Sequence, residues 1–194
     1  MSVTLSAGLK RGKKISNDSF AWFQTLLRCE DGADSAELPA TELCNTLIGL
    51  YFSASWCPPC QYFVHILAQG YRAIREAHGP QAFEVILVPL DVDEKLWELH
   101  MSKMPWLSIP LKNREVIVKL FTAHCITEAP RLLILDSQGT TVVENARGGD
   151  HGFGFGLDPL LAYEKLIQEL QKMQRGREVA EDPIEEEASD VEAD

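Results

Sequence analysis

The chain lacks the features that define several large classes of protein. Its 194 residues contain no apolar run near the length of about 18 residues that a membrane span requires, and no signal-peptide-like apolar segment stands at its start. We therefore expect no membrane span and a reducing compartment, in which a close cysteine pair is redox-active or metal-binding rather than structural. No internal repeat is present, and the length suits one domain with short tails.

Cysteine is scarce, and of the five cysteines only Cys57 and Cys60 stand close together in the sequence. Cys29, Cys44 and Cys125 are isolated, and we expect them to behave as small buried hydrophobic residues.

The sequence lacks the partner residues that several other functions of the Cys57–Cys60 pair would require. Zinc takes about four ligands, but the sequence has no second CxxC pair and no HxxxH run to complete the set. A cysteine protease would need histidine and Asn or Asp partners, whereas the five histidines are scattered. The glycine-rich stretch 152–156 lacks the Lys-Ser/Thr of a phosphate loop. Redox chemistry is therefore the leading interpretation of the pair.

Charge is distributed unevenly along the chain, which has a net charge of −11. Residues 1–14 include four basic residues and no acid, whereas residues 178–194 include nine acids and no Lys or Arg. Because much of the acidity lies in this tail, it says little about a substrate, and the tail is too acidic and too poor in aromatic residues to fold alone. We predict a flexible basic extension at residues 1–16, one folded domain at 17–175 and a disordered acidic tail at 176–194.

Hydrophobic periodicity predicts an α/β domain. Strands are expected at the following segments: an edge strand within 37–43, buried strands at 47–54 and 83–88, and a hairpin of 131–135 with 140–144. Helices are expected from the capping residues 17–19 through Leu27, over 61–76, and after Asp93, Asn113 and Asp158-Pro159. The stretch 104–110 contains two prolines and is predicted to be an ordered loop. This order of elements predicts a central mixed β-sheet with helices on both faces.

The sequence Trp56-Cys57-Pro58-Pro59-Cys60 stands at a predicted junction between a buried strand and a helix. Thiolate, not thiol, attacks a disulfide, and the unpaired N–H groups and positive dipole end of a helix start stabilise that anion. Cys57 is therefore the candidate nucleophile. Cys60, one turn later, is placed to attack the mixed disulfide and is the candidate resolving cysteine. Pro58 and Pro59 stiffen the linker and remove two backbone donors.

The segment Tyr51–Cys60 resembles the tryparedoxin and nucleoredoxin branch of the thioredoxin superfamily, because two prolines stand between the cysteines where ordinary thioredoxins have a glycine. Three further matches support the branch: Asp91 followed by Lys103-Met104-Pro105-Trp106, Ala129-Pro130 before a strand, and Ala146-Arg147 after the hairpin. These matches extend from residue 47 to about residue 147, over most of the predicted domain.

The resemblance implies a thioredoxin-like fold and a dithiol carrier in which Cys57 attacks and Cys60 resolves. It implies that Trp56 shields the pair and that Pro130 is a cis-proline whose loop lies against the thiols. It also suggests a set of residues lining the substrate groove: Ala129, Arg131, Asp91, Trp106 and Arg147.

Partners and location follow from the same resemblance. The reductant would be a small dithiol such as trypanothione or a glutathione-like compound, and the recipients would be peroxiredoxin-type or other disulfide-containing proteins. We expect a redox-active disulfide without a bound cofactor or metal, no nucleic-acid partner, and a monomer. We expect a cytoplasmic location, with mitochondrial or nuclear targeting by the basic N-terminus as the alternative.

Departures from the family pattern leave a second function open. His65 replaces the kink proline of the first long helix, Gln61 replaces the usual basic residue after the second cysteine, and Arg131 places a bulky cation beside Pro130. Together with the acidic tail, Arg131 supports the alternative of a nucleoredoxin-like, redox-sensitive protein-binding module with little turnover.

Overall fold

The computed structural model describes residues 26–28, 36–38, 43, 46–137, 139–148 and 154–181. The predictions for the basic extension, for Cys29 and Cys44, and for residues 182–194 of the acidic tail lie outside these residues.

The described residues form a mixed sheet of seven strands in the order β2-β1-β5-β4-β3-β6-β7. The strands are β1 (Leu26–Arg28), β2 (Ala36–Leu38), β3 (Leu47–Ser53), β4 (Phe83–Pro89), β5 (Leu107–Ser108), β6 (Arg131–Leu135) and β7 (Thr141–Val143). Strand β4 runs parallel to β3 and β5, whereas β1 and β6 run antiparallel to their neighbours. The central strands β3 and β4 are buried along their whole length, as expected of a sheet covered on both faces.

The helices are α1 (Pro58–His78), α2 (Glu94–Met101), α3 (Arg114–Ala123) and α4 (Pro159–Glu181). Alternate residues of β3 enter different cores: Tyr51 packs with side chains of α1, α2 and α4, whereas Leu50 and Phe52 pack with side chains of α3. Helices therefore cover both faces of the sheet, because successive side chains of a strand point to opposite faces.

Several elements differ from the sequence-based prediction. The helix predicted through Leu27 is wrong at Leu26 and Leu27, which pair with β2 and β5 as part of β1. The loop predicted over 104–110 contains the short strand β5. Helix α4 continues to Glu181, beyond the domain boundary predicted at residue 175. Cys125 is exposed rather than buried, so its interpretation as a core residue is wrong.

The topology brings distant parts of the chain to one edge of the sheet. The parallel pair β3 and β4 ends together at Ser53 and Pro89. Because β6 is antiparallel to β3 and pairs Arg131 with Phe52, the start of β6 lies at this same edge. Helix α1 also begins here, five residues after β3 ends. In the part of the chain that the structure describes, no helix is long and apolar enough to cross a membrane.

Candidate active site

Cys57 and Cys60 form a disulfide at the start of α1, with 5.2 Å between their Cα atoms. Cys57 is the N-cap residue of the helix, and Cys60 lies in the first turn. The two differ in access to solvent, since Cys57 retains 5% of its surface and Cys60 retains none. Cys57 is therefore the one residue of the pair with any surface that a reacting molecule can approach.

The prolines determine which helix N–H groups can serve the sulfur of Cys57. Pro58 and Pro59 occupy the first two helical positions and carry no N–H. The first remaining donor, the amide of Cys60, lies 3.3 Å from Cys57 Sγ and 3.0 Å from the Cys57 carbonyl oxygen. The amide of Gln61 donates to that carbonyl at 3.2 Å. One backbone N–H, together with the helix dipole, thus faces the sulfur and would stabilise a thiolate there.

The loop before β6 lies against the disulfide. The Ala129–Pro130 peptide bond is cis, and the Ala129 carbonyl oxygen lies 3.7 Å from Cys57 Sγ. Ala129 and Leu90 pack against a small buried cluster of Ala54 with the two cysteines. Residues separated by 72 positions in the sequence therefore meet at one sulfur atom.

The guanidinium of Arg131 is bound within the protein. Its Nε donates to the Glu144 carbonyl oxygen at 2.8 Å, and one terminal nitrogen pairs with a Glu128 carboxylate oxygen at 3.2 Å. Since Glu128 directly precedes Ala129, this side chain ties the loop beside Cys57 to the end of the hairpin. Arg131 thus brings less free charge to the groove than the sequence suggested.

Asp91 lies beneath the active-site segment. Only 1% of the surface of Asp91 is exposed. Its two carboxylate oxygens accept hydrogen bonds from the Ser55 amide at 3.0 and 3.2 Å, and one of them also accepts from the Ser55 hydroxyl at 2.6 Å. Arg114 of α3 donates to the carbonyl oxygens of Asp91 and Val92 at 2.6 and 3.1 Å. The prediction that Asp91 lines the groove is wrong in this structure because the side chain is covered. Its contacts instead anchor the backbone two residues before Cys57.

The two tryptophans singled out in the sequence have opposite environments. Trp106 is fully buried and packs edge-on against Tyr51 and Tyr71, with ring centroids 6.0 and 5.8 Å apart. The prediction that Trp106 lines the groove is therefore wrong, because the side chain belongs to the core. Trp56 is 65% exposed, next to Cys57 in the chain.

Tyr51 links the sheet to the turn that carries Cys60, and the sequence had assigned it no role. Its hydroxyl donates to the Cys60 carbonyl oxygen at 3.1 Å. Burial raises the pKa of Tyr51, and the nearby positive charge of Arg147 offsets only part of this effect. The hydroxyl therefore keeps its proton and this hydrogen bond at neutral pH. Arg147, a predicted groove residue, is half-buried.

The sequence also did not predict the buried contact between Ser53 and His100. Ser53 Oγ lies 2.9 Å from His100 Nε2, and both side chains are almost completely covered. Burial lowers the pKa of His100; Lys103 lowers it further, and the negative charge of Asp91 opposes both. A histidine on the otherwise apolar face of a predicted helix was the only signal in the sequence.

The departures at Gln61 and His65 both lie on the exposed side of α1. Gln61 Nε2 donates to the Ser55 carbonyl oxygen at 2.5 Å, across the redox motif. Among the described residues, no group of three or more His, Cys, Asp or Glu side chains could hold a metal ion.

Comparison with known proteins places this geometry in a family. A family model described as thioredoxin-like matches residues 45–141. Nucleoredoxin from Mus musculus is 36% identical over 110 residues, which cover 57% of this chain and 25% of that protein. The chain thus spans about a quarter of the length of the curated nucleoredoxins it matches.

Comparison with solved structures gives the same relationship. Tryparedoxin I from Leishmania major is 32% identical with a TM-score of 0.59, and the match covers 72% of this chain and 89% of that one. A tryparedoxin II complexed with glutathionylspermidine is 29% identical with a TM-score of 0.59, covering 68% of this chain and 89% of that one. The predicted fold class and family resemblance are confirmed: the chain belongs to the thioredoxin-like family of oxidoreductases and is related to nucleoredoxin and tryparedoxin.

Proposed function

We propose that this chain is a thiol–disulfide oxidoreductase that carries electrons on Cys57 and Cys60. The observation that carries the proposal is the disulfide at the N-terminus of α1, in which Cys57 keeps a small exposed surface and Cys60 is fully covered. The less covered cysteine, whose sulfur faces a helix N–H and the helix dipole, suits the nucleophile, and the covered cysteine one turn later suits the resolving role.

The reaction follows from this arrangement. In the reduced protein, the Cys57 thiolate attacks one sulfur of a substrate disulfide, so a mixed disulfide forms and one substrate thiolate leaves and takes up a proton. Cys60 then loses its proton and attacks Cys57 Sγ, which forms the intramolecular disulfide and releases the second substrate thiolate. Two electrons pass to the substrate, and a dithiol reductant restores the protein by the reverse exchange.

We further propose a trypanothione-like or glutathione-like reductant, and peroxiredoxin-type or other disulfide-containing proteins as recipients. The relatedness to tryparedoxins supports this proposal, as does the glutathionylspermidine bound to one of them. Ala129 and Pro130 would line the groove that receives the substrate, since the Ala129 carbonyl lies against Cys57. We propose that the carrier is a cytoplasmic monomer with no bound cofactor and no nucleic-acid partner.

Turnover of a protein disulfide tests the proposal. Oxidised peroxiredoxin or insulin is incubated with the protein and a dithiol reductant, and substrate reduction is followed over time. We expect wild type to accelerate reduction, Cys57→Ser to abolish the acceleration, and Cys60→Ser to accumulate the mixed disulfide on Cys57. Equal, slow rates for wild type and Cys57→Ser would disprove the proposal. Faster reduction by trypanothione than by glutathione would support the tryparedoxin-like reductant.

A nucleoredoxin-like binding module with little turnover is the second candidate, supported by the 36% identity to mouse nucleoredoxin. A pull-down with the Cys57→Ser, Cys60→Ser double variant separates the two functions. A binding module keeps its partner when both thiols are lost and loses it when residues 182–194 are deleted. A carrier loses its covalent partners as soon as Cys57 is replaced.

A further inference from the structure

Gln61, the residue that directly follows the redox pair, closes a ring around the motif. Its side-chain amide donates to the carbonyl oxygen of Ser55, six residues earlier. The segment between these two residues contains both cysteines and both prolines. This hydrogen bond therefore spans the motif in addition to the disulfide.

Ser55 is a fixed point rather than a mobile loop residue. Its amide and hydroxyl donate to the buried carboxylate of Asp91, and its carbonyl accepts from Gln61. Asp91 is held in turn through its own carbonyl oxygen by Arg114. The Gln61 hydrogen bond thus connects the first turn of α1 to a part of the sheet edge that three other hydrogen bonds already hold.

We infer that Gln61 is a positioning residue that favours the disulfide form of the Cys57–Cys60 pair. In the oxidised protein, the disulfide already restricts the backbone between residues 57 and 60, so the hydrogen bond forms at a small entropic cost. In the dithiol, this segment has more freedom, so the same bond orders more of it and is weaker. Linkage requires that a contact which is stronger in the oxidised form stabilises that form relative to the dithiol.

The inference concerns the equilibrium of the redox pair, and it deepens the proposed function because the same pair would carry the electrons. The measurement equilibrates the pure protein with reduced and oxidised glutathione. In this reaction two glutathione thiols give two electrons and two protons to the Cys57–Cys60 disulfide, and one glutathione disulfide forms. No recipient protein is needed, so a failed turnover assay and a failed equilibrium test remain distinguishable.

Gln61→Met keeps the length and the helix propensity of the side chain but removes the donor. If the hydrogen bond contributes its full net strength only in the oxidised protein, its removal makes the disulfide form about 3- to 10-fold less favoured in the variant. This change raises the reduction potential by about 14 to 30 mV for a two-electron couple. Gln69→Met is the matched control, because Gln69 is an exposed glutamine on the same helix two turns later, and its equilibrium should equal that of wild type.

Urea unfolding of each protein in both redox states closes the thermodynamic cycle. Gln61→Met should destabilise the oxidised form more than the dithiol form, and the difference should match the shift in the glutathione equilibrium. An unchanged equilibrium in Gln61→Met overturns the inference, as does an equal shift in Gln69→Met or an equal loss of stability in both redox states.

Discussion

At the scale of single residues, a few polar side chains are buried beside the apolar core. Each forms hydrogen bonds that a single substitution can remove. Glu84 is 4% exposed and accepts hydrogen bonds from Arg28 at 2.9 Å, Arg75 at 3.2 Å and Tyr71 at 3.0 Å. Arg75 also lies over the Tyr71 ring, 4.9 Å from its centroid. One carboxylate of β4 thus joins the strand β1 to the helix α1.

Glu84→Gln should lower the free energy of unfolding by about 2 kcal/mol, because it leaves two arginines without their anionic acceptor. The loss is limited because both arginine side chains retain about a quarter of their exposure, 25% and 24%. Urea unfolding measures the change. Glu115→Gln is the matched control, since Glu115 forms an exposed pair with Lys119 on α3, and it should leave stability unchanged. Equal stability of Glu84→Gln and wild type would contradict this account.

Stability should fall as the pH drops below about 6.5, because the pKa of His100 is lower in the folded protein than in the unfolded chain. The unfolded chain then binds the proton more readily. The contribution of His100 is therefore complete above the unfolded pKa and is lost as the pH falls through the folded pKa. Urea unfolding at a series of values from about pH 5 to about pH 8 measures this dependence of the free energy of unfolding on pH.

The variant His100→Gln should flatten that slope, since it removes the titrating ring buried against Ser53. His65→Gln, which replaces an exposed histidine of α1, serves as the control and should leave the slope as in wild type. If His100→Gln and His65→Gln follow the same pH dependence, then His100 is not its source.

At the scale of elements, the position of α1 depends on close packing against α4. A Cβ atom added at Gly70 would collide with the ring carbons of Pro159, the first residue of α4. Asp158 caps α4 by accepting from the Leu161 amide at 3.0 Å, so Pro159 is held in place. Gly70 therefore allows α1 and α4 to approach closely. The disulfide lies on the same helix, about three turns before this contact.

Gly70→Ala should therefore destabilise the protein by about 1 to 3 kcal/mol through overpacking, although alanine is the better helix former. Thermal or urea unfolding measures the effect, and Gln69→Ala is the neighbouring control, with no collision expected at its exposed position. A Gly70→Ala variant more stable than wild type would show that propensity outweighs packing and that α4 does not press on this glycine.

At the scale of the whole molecule, the described residues form two large hydrophobic cores, and neither includes the redox pair. The larger core joins side chains of α1, α2 and α4 to one face of the sheet, and the second joins α3 to the other face. The disulfide spans only three residues in the sequence and lies in a separate small cluster. This arrangement suits the proposed carrier, which would alternate between two redox states.

Reduction of the Cys57–Cys60 disulfide should therefore leave the protein folded. Closing so short a loop restricts the unfolded chain by about 2 kcal/mol at most, which is small against the burial in two cores. Far-ultraviolet circular dichroism with and without a phosphine reductant should give the same spectrum, and urea unfolding should remain cooperative in both states. Loss of helical signal on reduction would show that the disulfide is structural.

Local spacing allowed much of the site to be predicted. Two cysteines three residues apart at a strand-to-helix junction fix the pair, and continuous apolar runs identified β3 and β4 as buried strands. The capping residue Asp93 accepts from the Leu96 amide at 2.9 Å, as its position before a helical pattern predicts. These features depend on neighbours within one turn or one strand, so the sequence encodes them directly.

The tertiary structure decided the remainder. Leu26 and Leu27 fit a helical face in the sequence, but pairing with β2 and β5 makes them a strand, because short apolar runs suit either structure. The partners of Arg131, the burial of Trp106 and the contact of Asp91 with Ser55 depend equally on the order of strands. That order is fixed by pairing between residues far apart in the chain, such as Phe52 of β3 with Arg131 of β6. Spacing alone identified the reactive pair, and the packing of the sheet determined its surroundings.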